Sequence, residues 1–111
     1  MRLLKSFLLI AFTVIIASCS EEPRQAPSNL AAKYDGQVVL YATSWCSYCQ
    51  KMREYFKRQN IEYLEYDVEE NAVGRAEFDE IGANGIPVVL VKGHIVEGYD
   101  TKAIFKLIRE K

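Results

Sequence analysis

The chain has 111 residues, 14 of them basic and 15 acidic, for a formal net charge of −1, and half of its residues are hydrophobic. That length suits one small domain. The near balance of charge leaves no basic surface for nucleic acid and excludes that class of partner. Three cysteines are too few for a framework of disulfides.

Arg2 and Lys5 make a short basic start, and the run from Phe7 to Ala17 is apolar except for Thr13. A bilayer-spanning helix wants about 20 apolar residues, so this run fits the core of a signal peptide better than a span. It ends in Ile16-Ala17-Ser18-Cys19, which resembles the lipobox of bacterial lipoproteins. The resemblance implies a signal peptide over residues 1–18, cleavage before Cys19, and acylation of the Cys19 sulfur and new amino group. An ordinary secretory signal or an uncleaved anchor is the alternative. Loss of Arg2 and Lys5 with the leader takes the formal charge to −3. Two or three acyl chains suffice as a membrane anchor. Ser20, where an aspartate resembles an inner-membrane retention signal, favours the outer membrane over the inner within the bacterial cell envelope, with the domain facing the periplasm.

The stretch Ser20 to Asp35 is rich in Glu, Pro, Ala, Ser, Asn and Gln and has no apolar period. It predicts a flexible tether over residues 19–36 that holds the domain off the membrane. Val38-Val39-Leu40-Tyr41-Ala42 is a continuous run of β-favouring residues, the mark of a strand covered on both faces. After Thr43-Ser44-Trp45 comes a helical pattern with Cys49, Met52, Tyr55 and Phe56 on one side and Lys51, Glu54, Lys57 and Arg58 largely on the other, ending near Asn60. Ile61 to Val68 suits a second strand, parallel to the first. Asn71 to Ile81 reads as a shorter helix weakened by Gly74.

Gly82 to Gly85 breaks the chain, and Pro87 to Val91 gives a third strand. Lys92-Gly93 turns into a short fourth strand, Ile95-Val96. Asp100 or Thr101 caps a last helix that buries Ile104, Leu107 and Ile108. The order strand, helix, strand, helix, strand, strand, helix predicts an α/β fold over residues 37–111, a four-stranded mixed sheet flanked by three helices.

Cys46 and Cys49 open the first helix three residues apart, on one face. Thiol–disulfide exchange needs one exposed thiol of low pKa and a second within a turn to resolve the mixed disulfide. The free amides and dipole of the first turn stabilise a thiolate at Cys46, the predicted nucleophile. Cys49, a turn deeper on the apolar side, is the predicted resolving thiol. Lys51 or Arg53 is a candidate source of positive field nearby. A zinc site needs three or four protein ligands, and the domain offers only His94 besides the pair, so no metal site is expected. His94 reads as a polar turn residue.

Leu40 to Cys49, with its Thr-Ser-Trp-Cys-Ser-Tyr-Cys end, resembles the strand and active-site loop of the glutaredoxin family in the thioredoxin superfamily. Gly85-Ile86-Pro87-Val88 is similar to the family's Val-Pro segment, and Gly98-Tyr99-Asp100 to its Gly-Gly-Ser/Cys-Asp segment. The resemblance covers roughly residues 37 to 111 and implies a thioredoxin-like fold, thiol–disulfide oxidoreductase activity and a cis peptide at Pro87. It places Trp45, Tyr48, Ile86, Pro87, Gly98, Tyr99 and Asp100 against the substrate. It also implies a monomer, a disulfide-containing protein or small-molecule substrate, and an electron-transfer partner that resets the dithiol.

Three departures bear on cofactors. Thr43 stands where many glutaredoxins carry a lysine, and Glu97 replaces the first glycine of the pair; both changes oppose an anionic tripeptide. Ser47 replaces the active-site proline, which frees φ and adds a hydroxyl. No cofactor is expected to be required; glutathione is a possible co-substrate, and a shared 2Fe-2S cluster a lesser alternative.

Overall fold

The computed structural model describes residues 22–110. The expected leader over 1–18 and the expected lipidation site Cys19 lie outside the described residues. In chain order the elements are β1 (Arg24–Gln25), α1 (Ser28–Lys33), β2 (Val38–Ala42), α2 (Ser47–Arg58), β3 (Leu64–Asp67), α3 (Ala72–Ile81), β4 (Val88–Val91), β5 (His94–Glu97) and α4 (Thr101–Arg109). They form one mixed sheet in the order β1-β5-β4-β2-β3. β2 and β3 run parallel, with Val39 opposite Leu64. The pairs β2–β4, β4–β5 and β1–β5 are antiparallel.

Alternation along the strands divides the core in two. Leu40 and Ala42 of β2, with Val89 and Val91 of β4, face Cys49, Met52 and Phe56 of α2 and Ile104 and Leu107 of α4. Val39 and Tyr41, with Val88 and Leu90, face Leu30, Tyr34 and Ile81 on the other side. Both faces of β2 and β4 are therefore covered, which is why their sequences show no polar alternation.

Among the described residues the sheet has five strands where four were expected, and four helices stand where three were expected. Both additions come from the stretch read as a tether. Arg24 and Gln25 pair with Ile95 and His94 of β5, and Leu30 and Tyr34 are buried. A polar, proline-containing composition hid them: two apolar residues four apart suffice to dock one short helix face, and a two-residue strand has no period to read. Among the described residues no helix is long and apolar enough to cross a membrane.

Gly74 does more than weaken α3. A Cβ at this position would lie 2.6 Å from Cβ of Tyr66, so the glycine is the point where α3 closes on β3. Asn71 caps this helix, its side chain accepting from the Gly74 amide at 2.8 Å. Asp100, rather than Thr101, caps α4 by accepting from the Ala103 amide at 3.1 Å.

Candidate functional site

The strand β2 delivers the chain through Thr43, Ser44 and Trp45 to the N-terminus of α2, where Cys46 is the capping residue. Its Sγ accepts the backbone N–H of Cys49 at 3.2 Å. That bond satisfies one of the amides a helix start leaves unpaired and places the sulfur in the positive end of the helix dipole. The expected exposed thiol is in fact only 9% accessible, because the side chain folds back over the first turn to cap it. Cys49 is fully buried, and both cysteines are free thiols.

Burial, followed by the hydrogen bond to Cys46, pushes the Cys49 thiol up to about 12; a backbone hydrogen bond from Thr43 and the charge of Arg53 act the other way. Cys49 thus stands in the environment expected of a buried thiol on the apolar side of the helix. Arg53, one turn beyond Cys49, grips Glu65 of β3 through Nε at 2.9 and 3.1 Å and through Nη2 at 2.9 Å. The same Nη2 donates to the Thr43 carbonyl at 2.9 Å. Lys51, the other candidate for a positive field, instead places its ammonium 5.1 Å from the centre of the Tyr48 ring.

Arg53 therefore places a positive charge near Cys49, and Glu65 pairs with that charge. Arg53→Met is expected to move the pH profile of intramolecular disulfide closure to higher pH, because the thiolate loses a cation. Glu65→Gln is expected to move it to lower pH, because Arg53 loses its counter-charge. The release of a chromogenic thiol from a mixed disulfide on Cys46 measures that profile; shifts of the same sign in both variants refute the electrostatic account.

The residues assigned to substrate by resemblance fall into two groups. Trp45 is 71% exposed, its Nε1 donating to Glu69 at 2.6 Å, and Tyr48 and Tyr99 are exposed with ring centres 6.4 Å apart. Trp45 and Tyr48 are chain neighbours of the two cysteines, and Tyr99 meets Tyr48. Ile86 packs against both halves of the core, including the cluster that holds Cys46 and Cys49. The Ile86–Pro87 peptide is cis, and Pro87 is buried. Its carbonyl accepts from the Gly98 amide at 2.8 Å, and Gly98 has φ +79°, a left-handed conformation that glycine adopts without strain. The Asp100 carboxylate is already engaged as the α4 cap.

A cleft of about 220 Å³ is lined by Asn84, Gly85, Ile86, Glu97 and Gly98. Glu97 supplies its only charge. The carboxylate accepts from the Asn84 amide at 3.4 Å and stands 3.9 Å from Arg24 Nε. Thr43 is buried, and its Oγ1 has no hydrogen-bond partner among the described residues. Within those residues no group of three or more His, Cys, Asp or Glu side chains could hold a metal ion. Glu65 and Glu69 escaped the sequence reading, since both come from β3 and the segment after it, 12 and 24 residues from their partners.

A thioredoxin-like sheet that presents a dithiol at a helix start beside a cis proline defines a class of thiol redox proteins. The chain belongs to the glutaredoxin family, which matches it over residues 38–96. It is 31% identical over 74 residues to a glutaredoxin-like 8.6 kDa protein encoded in the rubredoxin operon of Clostridium pasteurianum, covering 66% of this chain and 99% of that one. A variant of the thioredoxin-like protein BC3987 superposes with a TM-score of 0.63 at 25% identity, covering 68% of this chain and 99% of the other. A glutaredoxin from Archaeoglobus fulgidus does so with a TM-score of 0.60 at 23% identity, covering 76% and 98%. The family match begins at Val38, so β1 and α1 precede it.

Proposed function

We propose that this protein is a thiol–disulfide oxidoreductase that works outside the cytoplasm, anchored through a lipid on Cys19, with Cys46 and Cys49 as its dithiol. The observation that carries the reading is Cys46 Sγ capping α2 while Cys49 lies buried one turn behind it. The Cys46 thiolate attacks one sulfur of a substrate disulfide; a new S–S bond forms, the old one breaks, and the first substrate thiolate leaves. The Cys49 thiol gives up its proton and attacks Cys46 Sγ, expelling the second substrate thiolate. The substrate gains two electrons, and the Cys46–Cys49 disulfide is reset by a partner dithiol. In the reverse direction the same steps oxidise a client.

Trp45, Tyr48, Tyr99 and the backbone of Ile86 surround the attacking sulfur in this reading. Pro87 and Gly98 hold that backbone, and Asp100 fixes the start of α4. The site does not fit glutathione well: the Glu97 carboxylate occupies the neighbouring cleft, and Thr43 is buried and uncharged. A disulfide in a protein or neutral peptide is therefore the proposed substrate. Nor does a third His, Cys, Asp or Glu among the described residues join the two cysteines in a group that could hold a metal ion.

Cys49→Ser tests the mechanism. With the resolving thiol gone, a peptide disulfide is expected to accumulate on Cys46 as a stable mixed disulfide, visible as added mass and removed by a small thiol. If no adduct forms at Cys46, the reading fails.

A further inference from the structure

The docked N-terminal segment fixes where an anchor leaves the domain. Glu22 and Pro23 line a cleft of about 460 Å³ together with Lys102, Ala103, Lys106 and Leu107 of α4. The chain is then held by the β1–β5 pairing, by the Ala26 amide donating to the Gly93 carbonyl at 2.9 Å, and by Arg24 Nη2 donating to the Ile81 carbonyl at 2.9 Å. Cys19 is three residues before Glu22. A chain spans at most about 3.6 Å per residue, so Cys19 lies within about 11 Å of Glu22. A bilayer holding acyl chains on Cys19 is thus brought against the side of the domain that carries α4.

The outward stripe of α4 suits that neighbour. Lys102, Phe105, Lys106 and Arg109 follow one another at spacings of three, one and three, which puts them on one helix face, and all four are exposed. Every charged residue from Thr101 to Arg109 is basic, although the chain that begins at Cys19 has a net charge of −3. Phe105 is 46% exposed, with the Arg109 guanidinium 5.2 Å from its ring centre. An aromatic ring among cations is the composition of helices that lie at an anionic lipid interface.

We propose that this stripe rests on the anionic headgroups of the bilayer that holds the Cys19 anchor, so that the dithiol operates at the membrane surface. The proposal rests on the reading of Cys19 as the lipidation site. α4 begins two residues after Tyr99, whose ring pairs with Tyr48 beside the dithiol. Seating α4 on the headgroups therefore holds these rings close to the bilayer, within reach of disulfides presented there.

The test uses the acylated chain in vesicles of phosphatidylcholine alone or mixed with phosphatidylglycerol, with acetylation of each lysine followed by peptide mass. One cation near an anionic surface gains about 1 kcal/mol, a factor of about 5. Lys102 and Lys106 are accordingly expected to label about 5-fold more slowly on the phosphatidylglycerol vesicles, with the exposed Lys57 of α2 unchanged. Phe105→Ser combined with Arg109→Glu, both on the exposed stripe, is expected to restore their labelling. Equal labelling of Lys102 and Lys106 on the two vesicles, in a chain whose intact mass shows acylation, overturns the surface and leaves the anchor standing. An intact mass without acyl chains at Cys19 overturns both.

Discussion

Cys46→Ser is expected to reduce disulfide exchange to the uncatalysed background, a loss on the order of 10³-fold or more, while leaving the domain folded. A serine hydroxyl is un-ionised at neutral pH and is a poor nucleophile toward sulfur, so the first step has no attacking group. The fold survives for a separate reason. Cys46 caps α2 by accepting the Cys49 amide, and serine is among the preferred residues for that position. The variant is therefore expected to melt no lower than the parent. Cys46→Ala removes thiol and cap together and is expected to cost about 1 kcal/mol besides. Reduction of a peptide disulfide, followed by thiol release alongside thermal melts of the three proteins, separates chemistry from capping. Substantial activity in Cys46→Ser refutes the assigned nucleophile.

Glu77→Ala is expected to lower stability by about 3 kcal/mol, which at this size is roughly 15 °C in melting temperature. The Glu77 carboxylate is 6% exposed and lies on the face of the sheet away from the dithiol. It accepts from Tyr34 at 2.8 and 2.9 Å, from Tyr41 at 2.9 Å and from Lys33 at 2.7 Å. Alanine strands the buried Tyr41 hydroxyl and leaves Tyr34 only its 3.0 Å bond to the Tyr66 hydroxyl, and a buried polar group left unpaired costs about 1–3 kcal/mol. It also removes the polar contacts of Lys33 and the C-cap Tyr34 that tie the end of α1 to α3.

The same cluster has a pH signature. Burial pushes the Glu77 carboxyl up, but the hydrogen bonds from Lys33, Tyr34 and Tyr41 outweigh it and hold the group below the ordinary carboxylate range. A carboxyl whose folded value is depressed gives stability that is complete above its unfolded value, about 4.3. That contribution is lost as the pH falls through the folded value. Acid unfolding followed by circular dichroism is expected to show this loss in the parent and a shallower acid limb in Glu77→Gln; identical acid limbs refute the assignment.

What could be read from the sequence follows the range of the interactions. The strands β2 and β4 were legible because burial on both faces leaves unbroken apolar runs, and the dithiol was legible because its spacing and its place at a helix start are local facts. The burial of Cys49 on the apolar side followed from helix geometry alone. The N-terminal stretch was misread because its docking depends on a partner far along the chain: Tyr34 meets Glu77 43 residues later. Gly74 read as a weakness because its purpose, the close approach to Tyr66, belongs to β3 and not to its own helix. The choice of Arg53 over Lys51 likewise depends on Glu65 across the sheet. The low exposure of Cys46 arises from a single side-chain rotation that no pattern of residue types encodes.

Trp45 is the only tryptophan in the chain, stands directly before Cys46, and is steadied by its bond to Glu69. Its emission consequently comes from one place, at the edge of the reacting sulfurs. Closing or opening the Cys46–Cys49 bond alters the surroundings of that single fluorophore, so the intact protein carries its own optical gauge. A titration against buffers of known potential can be followed by light alone, with no label and no second chromophore.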